Sequence, residues 1–107
     1  MNNGIRIISE IEGSGKAAAR GDTVSIRYVG RLNKGHVFQP SMDYTFKLGN
    51  RETIAGLEYA VEGMKAGGRR QVKVSPHLAY RDKGIPNLVP PNALLILDIE
   101  LHAIANA

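Results

Sequence analysis

Residues 94–101 read Leu-Leu-Ile-Leu-Asp-Ile-Glu-Leu, which places Leu95, Leu97, Ile99 and Leu101 on one face of a strand and Asp98 and Glu100 on the other. Such a strand demands an apolar layer beneath it and paired neighbours beside it. Residues 23–29 alternate in the same way, with Val24, Ile26 and Tyr28 on one face, and so do residues 70–75. Residues 5–9 read as a first strand. Gly and Pro punctuate the chain every dozen residues or so, as short strands joined by turns require. Only one segment has helical spacing: Ile54, Leu57, Val61 and Met64 recur at intervals of three and four. Thr53 is expected to cap this helix and Gly63 to end it. A helix of about two to three turns does not hold in water unless its apolar face packs on something. The inner face of the sheet is its natural partner. The expected architecture is α+β, an antiparallel sheet of about five strands wrapped around one short helix.

A chain of 107 residues is expected to form a single domain over 1–107, and at 43% apolar and 22% charged it has the composition of a soluble one. No apolar run approaches the ~20 residues that span a bilayer, so no membrane partner is expected. The start, Met1-Asn2-Asn3-Gly4-Ile5-Arg6, has no apolar core or cleavage site of a signal peptide. Zero cysteines rule out a disulfide scaffold and a thiol nucleophile. These features fit a cytoplasmic location, as they would a periplasmic domain cut from a longer precursor. The net charge of +4 is spread over Arg27, Arg31, Lys34, Lys65, Arg69, Arg70 and Arg81. No helix or ribbon concentrates it, so the reading is a solvated, mildly basic surface without a nucleic-acid partner. His36, His77 and His102 stand far apart with no carboxylate or cysteine at ligand spacing, and no metal site is expected. Ser75 lacks a Gly-x-Ser-x-Gly setting, which argues against a serine hydrolase. Gly67-Gly68-Arg69 reads as a hairpin turn, and Asp98 and Glu100 as solvated charges.

The run Gly21-Asp22-Thr23-Val24-Ser25-Ile26-Arg27-Tyr28-Val29-Gly30, continued by Leu32, Gly35 and Phe38, resembles a motif of the FKBP-type peptidyl-prolyl isomerases, the macrolide-binding immunophilins. Phe46-Lys47-Leu48-Gly49 followed by Thr53-Ile54-Ala55-Gly56 resembles that family's segment before its helix, and Met64-Lys65-Ala66-Gly67-Gly68-Arg69-Arg70 the turn after it. The loop Ser75-Pro76-His77-Leu78-Ala79-Tyr80, then Gly84-Ile85-Pro86 and Val89-Pro90-Pro91-Asn92-Ala93, resembles its pocket wall. The order and spacing of these motifs cover residues 5–102.

The resemblance implies rotation of X–Pro bonds, without cofactor or metal. Tyr28, Phe38 and Tyr80 would be its catalytic positions. Gln39, Tyr44, Phe46, Thr53, Ile54, Leu57, Leu88, Val89 and Leu97 would bind the substrate. Three positions depart from the family: Gln39 stands for an aspartate, Leu57 for a tryptophan and Leu97 for a phenylalanine. The segment 39–44 also reads as a shortened loop. An X–Pro bond rotates over about 18–20 kcal/mol in tens to hundreds of seconds. Catalysis needs an apolar enclosure that binds the twisted amide better than the planar one. The expected substrates are proline-containing peptides or unfolded proteins, met by a monomer. A looser enclosure implies a reduced rate and weak binding of rapamycin-like macrolides. The alternative is a catalytically feeble module of the same fold that holds a proline-containing peptide or partner. No insertion is long enough to form a chaperone flap, and the segment from Pro76 to Pro91 reads as a single loop.

Overall fold

The computed structural model describes residues 4–33 and 35–105. The readings made on Met1–Asn3 and on Lys34 lie outside those residues. In chain order the elements are β1 (Ile5–Ile11), β2 (Ser14–Ala17), β3 (Thr23–Leu32), β4 (Val37–Lys47), α1 (Ala55–Val61), β5 (Lys65–Ala66), β6 (Arg69–Val74), a single 3-10 turn (Pro76–Leu78) and β7 (Leu95–Ala105). Five strands form one antiparallel sheet in the order β1-β6-β7-β3-β4, and β2 pairs with β5 in a separate two-stranded ribbon. The expected α+β architecture is therefore the one found.

The alternation in the sequence decides which face is buried. Along β7, Leu95, Leu97, Ile99 and Leu101 are buried while the residues between them stay partly exposed. Val24 and Ile26 of β3 and Val72 and Val74 of β6 join them in one core, covered by Leu57, Ala60 and Val61 of α1. The helix lies very close to the sheet. A Cβ on Gly56 would fall 2.3 Å from Cγ1 of Val74, so only glycine permits this approach. Arg70, 8% exposed, ties the two layers together. Its Nη1 donates to the carbonyls of Ala60 (2.9 Å) and Glu62 (3.2 Å), and its Nε donates to Glu10 at 2.9 Å. The guanidinium thus supplies donors to carbonyls that a helix end leaves without partners.

Several local readings need correction. Thr53 does not cap the helix: Ile54 occupies the cap position with extended backbone and no side-chain bond. Gly63 does follow the helix, at φ +90. Segment 39–44 is not a loop but the middle of β4, an edge strand. Its pairing with β3 slips between Tyr28↔Met42 and Gly30↔Gln39, which leaves one extra residue on β4. Pro40 sits in that bulge, where an edge strand can spare an amide donor. Gly67-Gly68-Arg69 is a turn but not a hairpin, because β5 and β6 pair with different strands. The segment 76–91 is not featureless: it contains the 3-10 turn and a bridge between Ile85 and Val89.

Asp98 and Glu100 are not simply solvated. Asp98 pairs with Arg31 and accepts from Gln71 at 2.7 Å, and Glu100 pairs with Arg69 (3.3 Å) and His102 (2.9 Å). With Arg27–Asp43 (2.9 Å) these pairs cross the outer face of the sheet.

Candidate functional site

Five of the chain's six aromatic residues fall into two contact groups on the core side of β3, β4 and the loop after the 3-10 turn. Tyr44 stacks on Phe46 with centroids 5.1 Å apart, and Tyr28 lies 6.4 Å from Tyr44. Phe38 meets Tyr80 edge-on at 6.1 Å and 88°. The groups adjoin, because the Tyr80 phenol is near enough to act on that of Tyr28.

Local sequence explains each placement. Tyr28 follows Val24 and Ile26 on the inner face of β3 and is half-buried. Phe38 lies over Gly30, where a Cβ would come within 2.7 Å of its Cζ. A glycine inside a strand is the sequence signal for such a close approach. Gly30 also sits opposite Leu97 of β7, which places Leu97 next to this ring. Tyr44 and Phe46 are two apart on β4 and share a face. The Tyr44 hydroxyl donates to the Glu52 carbonyl at 3.2 Å, which fastens the segment before α1 to the strand. Tyr80 is held by its loop: its carbonyl accepts from Gly84 at 3.0 Å, and Arg81 beside it is bonded to Pro76 and Asn92. Ile85 and Val89 exchange two backbone bonds of 2.8 Å, which folds the loop back on itself.

The remaining expected positions differ in what they offer. Ile54 and Thr53, at the start of α1, are partly exposed. The Ile54 carbonyl accepts from Leu57 and Glu58, while its N–H has no acceptor among the described residues. Phe46, Leu57 and Leu97 are at most 2% exposed, so they form a layer beneath the site rather than its open surface. Val89 is buried too, whereas Leu88 stands 48% exposed at the tip of its turn. Gln39 does not reach Tyr28; its amide donates to the Pro40 carbonyl at 2.9 Å.

Electrostatically the recess is apolar with two unsatisfied donors. The hydroxyls of Tyr28 and Tyr80 have no hydrogen-bond partner among the described residues. Burial, then the phenols of Tyr80 and Tyr44, raise the Tyr28 pKa above its ordinary value, and burial raises that of Tyr80. Both therefore stay protonated, as hydrogen-bond donors, throughout the physiological range. Among the described residues no group of three or more His, Asp or Glu could hold a metal ion. A separate cleft of about 340 Å³ crosses the outer face between Arg27, Gln71, Asp98 and Glu100. Its charges are already paired, and of the five grouped aromatics only Tyr28 borders it.

An antiparallel sheet packed on one short helix, with five aromatics gathered on its core side and two phenols left without partners among the described residues, defines the class of domain. The chain belongs to the FKBP-type peptidyl-prolyl cis-trans isomerase family, whose model matches residues 14–102. It is 43% identical over 101 residues to "FK506-binding protein 4" of Aspergillus oryzae, covering 92% of this chain and 21% of that protein. The "39 kDa FK506-binding nuclear protein" of Drosophila melanogaster is 35% identical over 108 residues, covering 97% of this chain and 30% of its own length. In Dictyostelium discoideum another "FK506-binding protein 4" is 38% identical over 107 residues, covering 98% and 29%. The chain spans about a fifth of the length of its fungal relatives.

Proposed function

We propose that this domain accelerates cis–trans rotation of X–Pro bonds in flexible or unfolded polypeptides. The observation that carries the reading is the pair of unpartnered phenols, Tyr28 and Tyr80, set among the apolar rings of β3, β4 and the loop after the 3-10 turn; the N–H of Ile54 at the start of α1, without an acceptor among the described residues, supports it. Proline rests against Phe38, Tyr28 and Ile54, with Leu57 and Leu97 beneath. The Tyr80 hydroxyl donates to the carbonyl before the proline, and the Ile54 N–H holds the peptide beyond it. No proton transfer or covalent step is needed. The apolar surroundings favour the twisted amide, which separates less charge than the planar one. Each ten-thousandfold acceleration takes about 5.5 kcal/mol of differential binding. One neutral hydrogen bond contributes about 1 kcal/mol, so the enclosure must supply most of it.

Leucine at 57 and 97 encloses less than an aromatic ring, which supports a reduced rate and weak macrolide affinity. The same feature favours the second reading, a feeble catalyst that binds proline-containing segments. A monomer is proposed, and a cytoplasmic setting or, after the name of the Drosophila relative, a nuclear one. Exchange NMR on X–Pro tetrapeptides, with Tyr80→Phe beside the native chain, tests the activity. Acceleration that falls several-fold in Tyr80→Phe, while the melting temperature stays within about 2 °C, supports the isomerase. No acceleration of any peptide leaves the binding module.

A further inference from the structure

We propose that Arg20, Arg51 and Arg81 read an anionic side chain near the substrate's proline, so that the domain prefers acidic or phosphorylated sequences around the bond it turns. This rests on the isomerase reading and adds a substrate class to it. A cleft of about 530 Å³ runs along the outward side of α1 and is lined by these three arginines together with Thr53, one of the expected substrate-binding positions. Arg51 precedes Thr53 by two residues and Arg81 follows Tyr80 directly, so two of the three arginines are close along the chain to expected site positions.

The three guanidinium groups belong to exposed residues, and none has a carboxylate partner among the described residues. By contrast, Arg27, Arg31, Arg69 and Arg70 each hold one. Glu58 and Glu62 also face the cleft. Glu58 is engaged, since its Oε2 accepts the backbone N–H of Arg51 at 3.1 Å. Three cations thus face two carboxylates, one of them committed. Arg51 and Arg81 both adopt left-handed backbone, at φ 57 and 54, where Gly or Asn is less strained. The turns themselves do not call for arginine. Arg20 lies flat on the loop that carries Arg51, its Nε 3.2 Å from where a Cβ on Gly49 would stand. Guanidinium forks match carboxylate and phosphate alike, and phosphate brings more charge. An extended peptide advances about 3.3 Å per residue, so three residues on either side of the proline sweep about 10 Å, which sets the range of positions to be tested.

The test uses peptides with Gln, Glu, Lys or phosphoserine at each of the three residues on either side of the X–Pro bond. Catalysis is followed by exchange NMR and binding by calorimetric titration. At low salt, at least one position should favour Glu over Lys by about three- to tenfold, with phosphoserine further ahead, and the ratio should approach one in roughly 0.5 M salt. Arg20→Gln/Arg51→Asn/Arg81→Asn should bring the Glu-to-Lys ratio to about one, while Arg6→Gln leaves it unchanged. If the triple variant does not fold, Arg20→Gln and Arg81→Asn should each lower the ratio alone. Phosphoserine preferred without any Glu preference would narrow the ligand to phosphate. Equal ratios in the native chain, or a preference that survives the substitutions, overturn the proposal. If no peptide is accelerated the isomerase reading falls, and the titrations still decide: tighter binding of Glu lost in the variant sustains the arginine site, and equal or absent binding ends it.

Discussion

Gly30→Ala tests how the recess is built, because it adds one methyl group at its tightest joint. The backbone of Gly30 has no left-handed strain, so alanine is conformationally acceptable there. Its Cβ, however, would stand 2.7 Å from Cζ and 3.0 Å from Cε2 of Phe38, and 3.2 Å from Cβ of Gln39. Ordinary contact begins at 3.4 Å, so the ring must withdraw by about 0.7 Å from a position where it is only 9% exposed. Overpacking of this kind costs about 1–3 kcal/mol. Gly→Ala returns about 0.4–1 kcal/mol by restricting the unfolded chain. The net loss is about 1–2 kcal/mol, which in a domain of this size lowers Tm by roughly 5–15 °C. Phe38 also supports Tyr80 edge-on, so kcat/KM should fall with stability. Urea melts of Gly30→Ala, Phe38→Leu and the double variant give the decisive cycle. The shorter side chain makes room for the methyl, so the double variant should be about 1 kcal/mol more stable than the sum of the singles predicts. A Gly30→Ala protein as stable as the native one, or strict additivity, would refute the contact.

Gly56→Ala tests the seam between helix and sheet: helix propensity alone predicts a gain of about 1 kcal/mol, yet a Cβ 2.3 Å from Val74 predicts a net loss of about 1–3 kcal/mol in a chemical melt. Arg70→Met should cost about 2–4 kcal/mol, because the carbonyls of Ala60 and Glu62 lose their donor; a neutral result in the same melt would show that water replaces it. Acid stability follows from three carboxyls held below their ordinary values: Glu12 by Lys65, Asp43 by Arg27 and Glu100 chiefly by His102. A depressed folded-state pKa means stability that is present above the unfolded value and lost as pH falls through the folded one. The melting temperature should therefore drop as pH falls below about 4.5, less steeply in high salt, and a flat profile there would contradict these pairings.

The buried face of the sheet was legible in the sequence because alternation with period two is a local signal, and β3, β6 and β7 carry it without interruption. Strand β4 was not, since Pro40 reads locally as a break and only its edge position makes that proline harmless. The helix was evident from Ile54, Leu57 and Val61, but its cap was misplaced. Thr53 is the better capping residue in isolation, yet the tie between Tyr44 and the Glu52 carbonyl fixes how the chain enters the helix. The aromatic positions came from family motifs, and the structure brings five aromatics together on one side of the sheet. Gln39 turns to its own neighbour, which no local pattern announces. The pairings of Asp98 and Glu100 were hidden for another reason: their partners Arg31 and Arg69 belong to strands far away in sequence.

Strand β7 is the last described element in the chain, yet it lies at the middle of the sheet, with β6 on one side and β3 on the other. As the polypeptide leaves the ribosome, β3 and β4 can form a hairpin, and β1 can meet β6. These two pieces share no ladder until residues 95–105 arrive to join them. Every ladder that β7 joins closes a loop of tens of residues, and folding of that kind runs in milliseconds to seconds rather than microseconds. Phe38 stands on one piece and the loop of Tyr80 follows the other. Until residues 95–105 have emerged, then, the recess is absent, and it comes into being in the step that joins the two pieces.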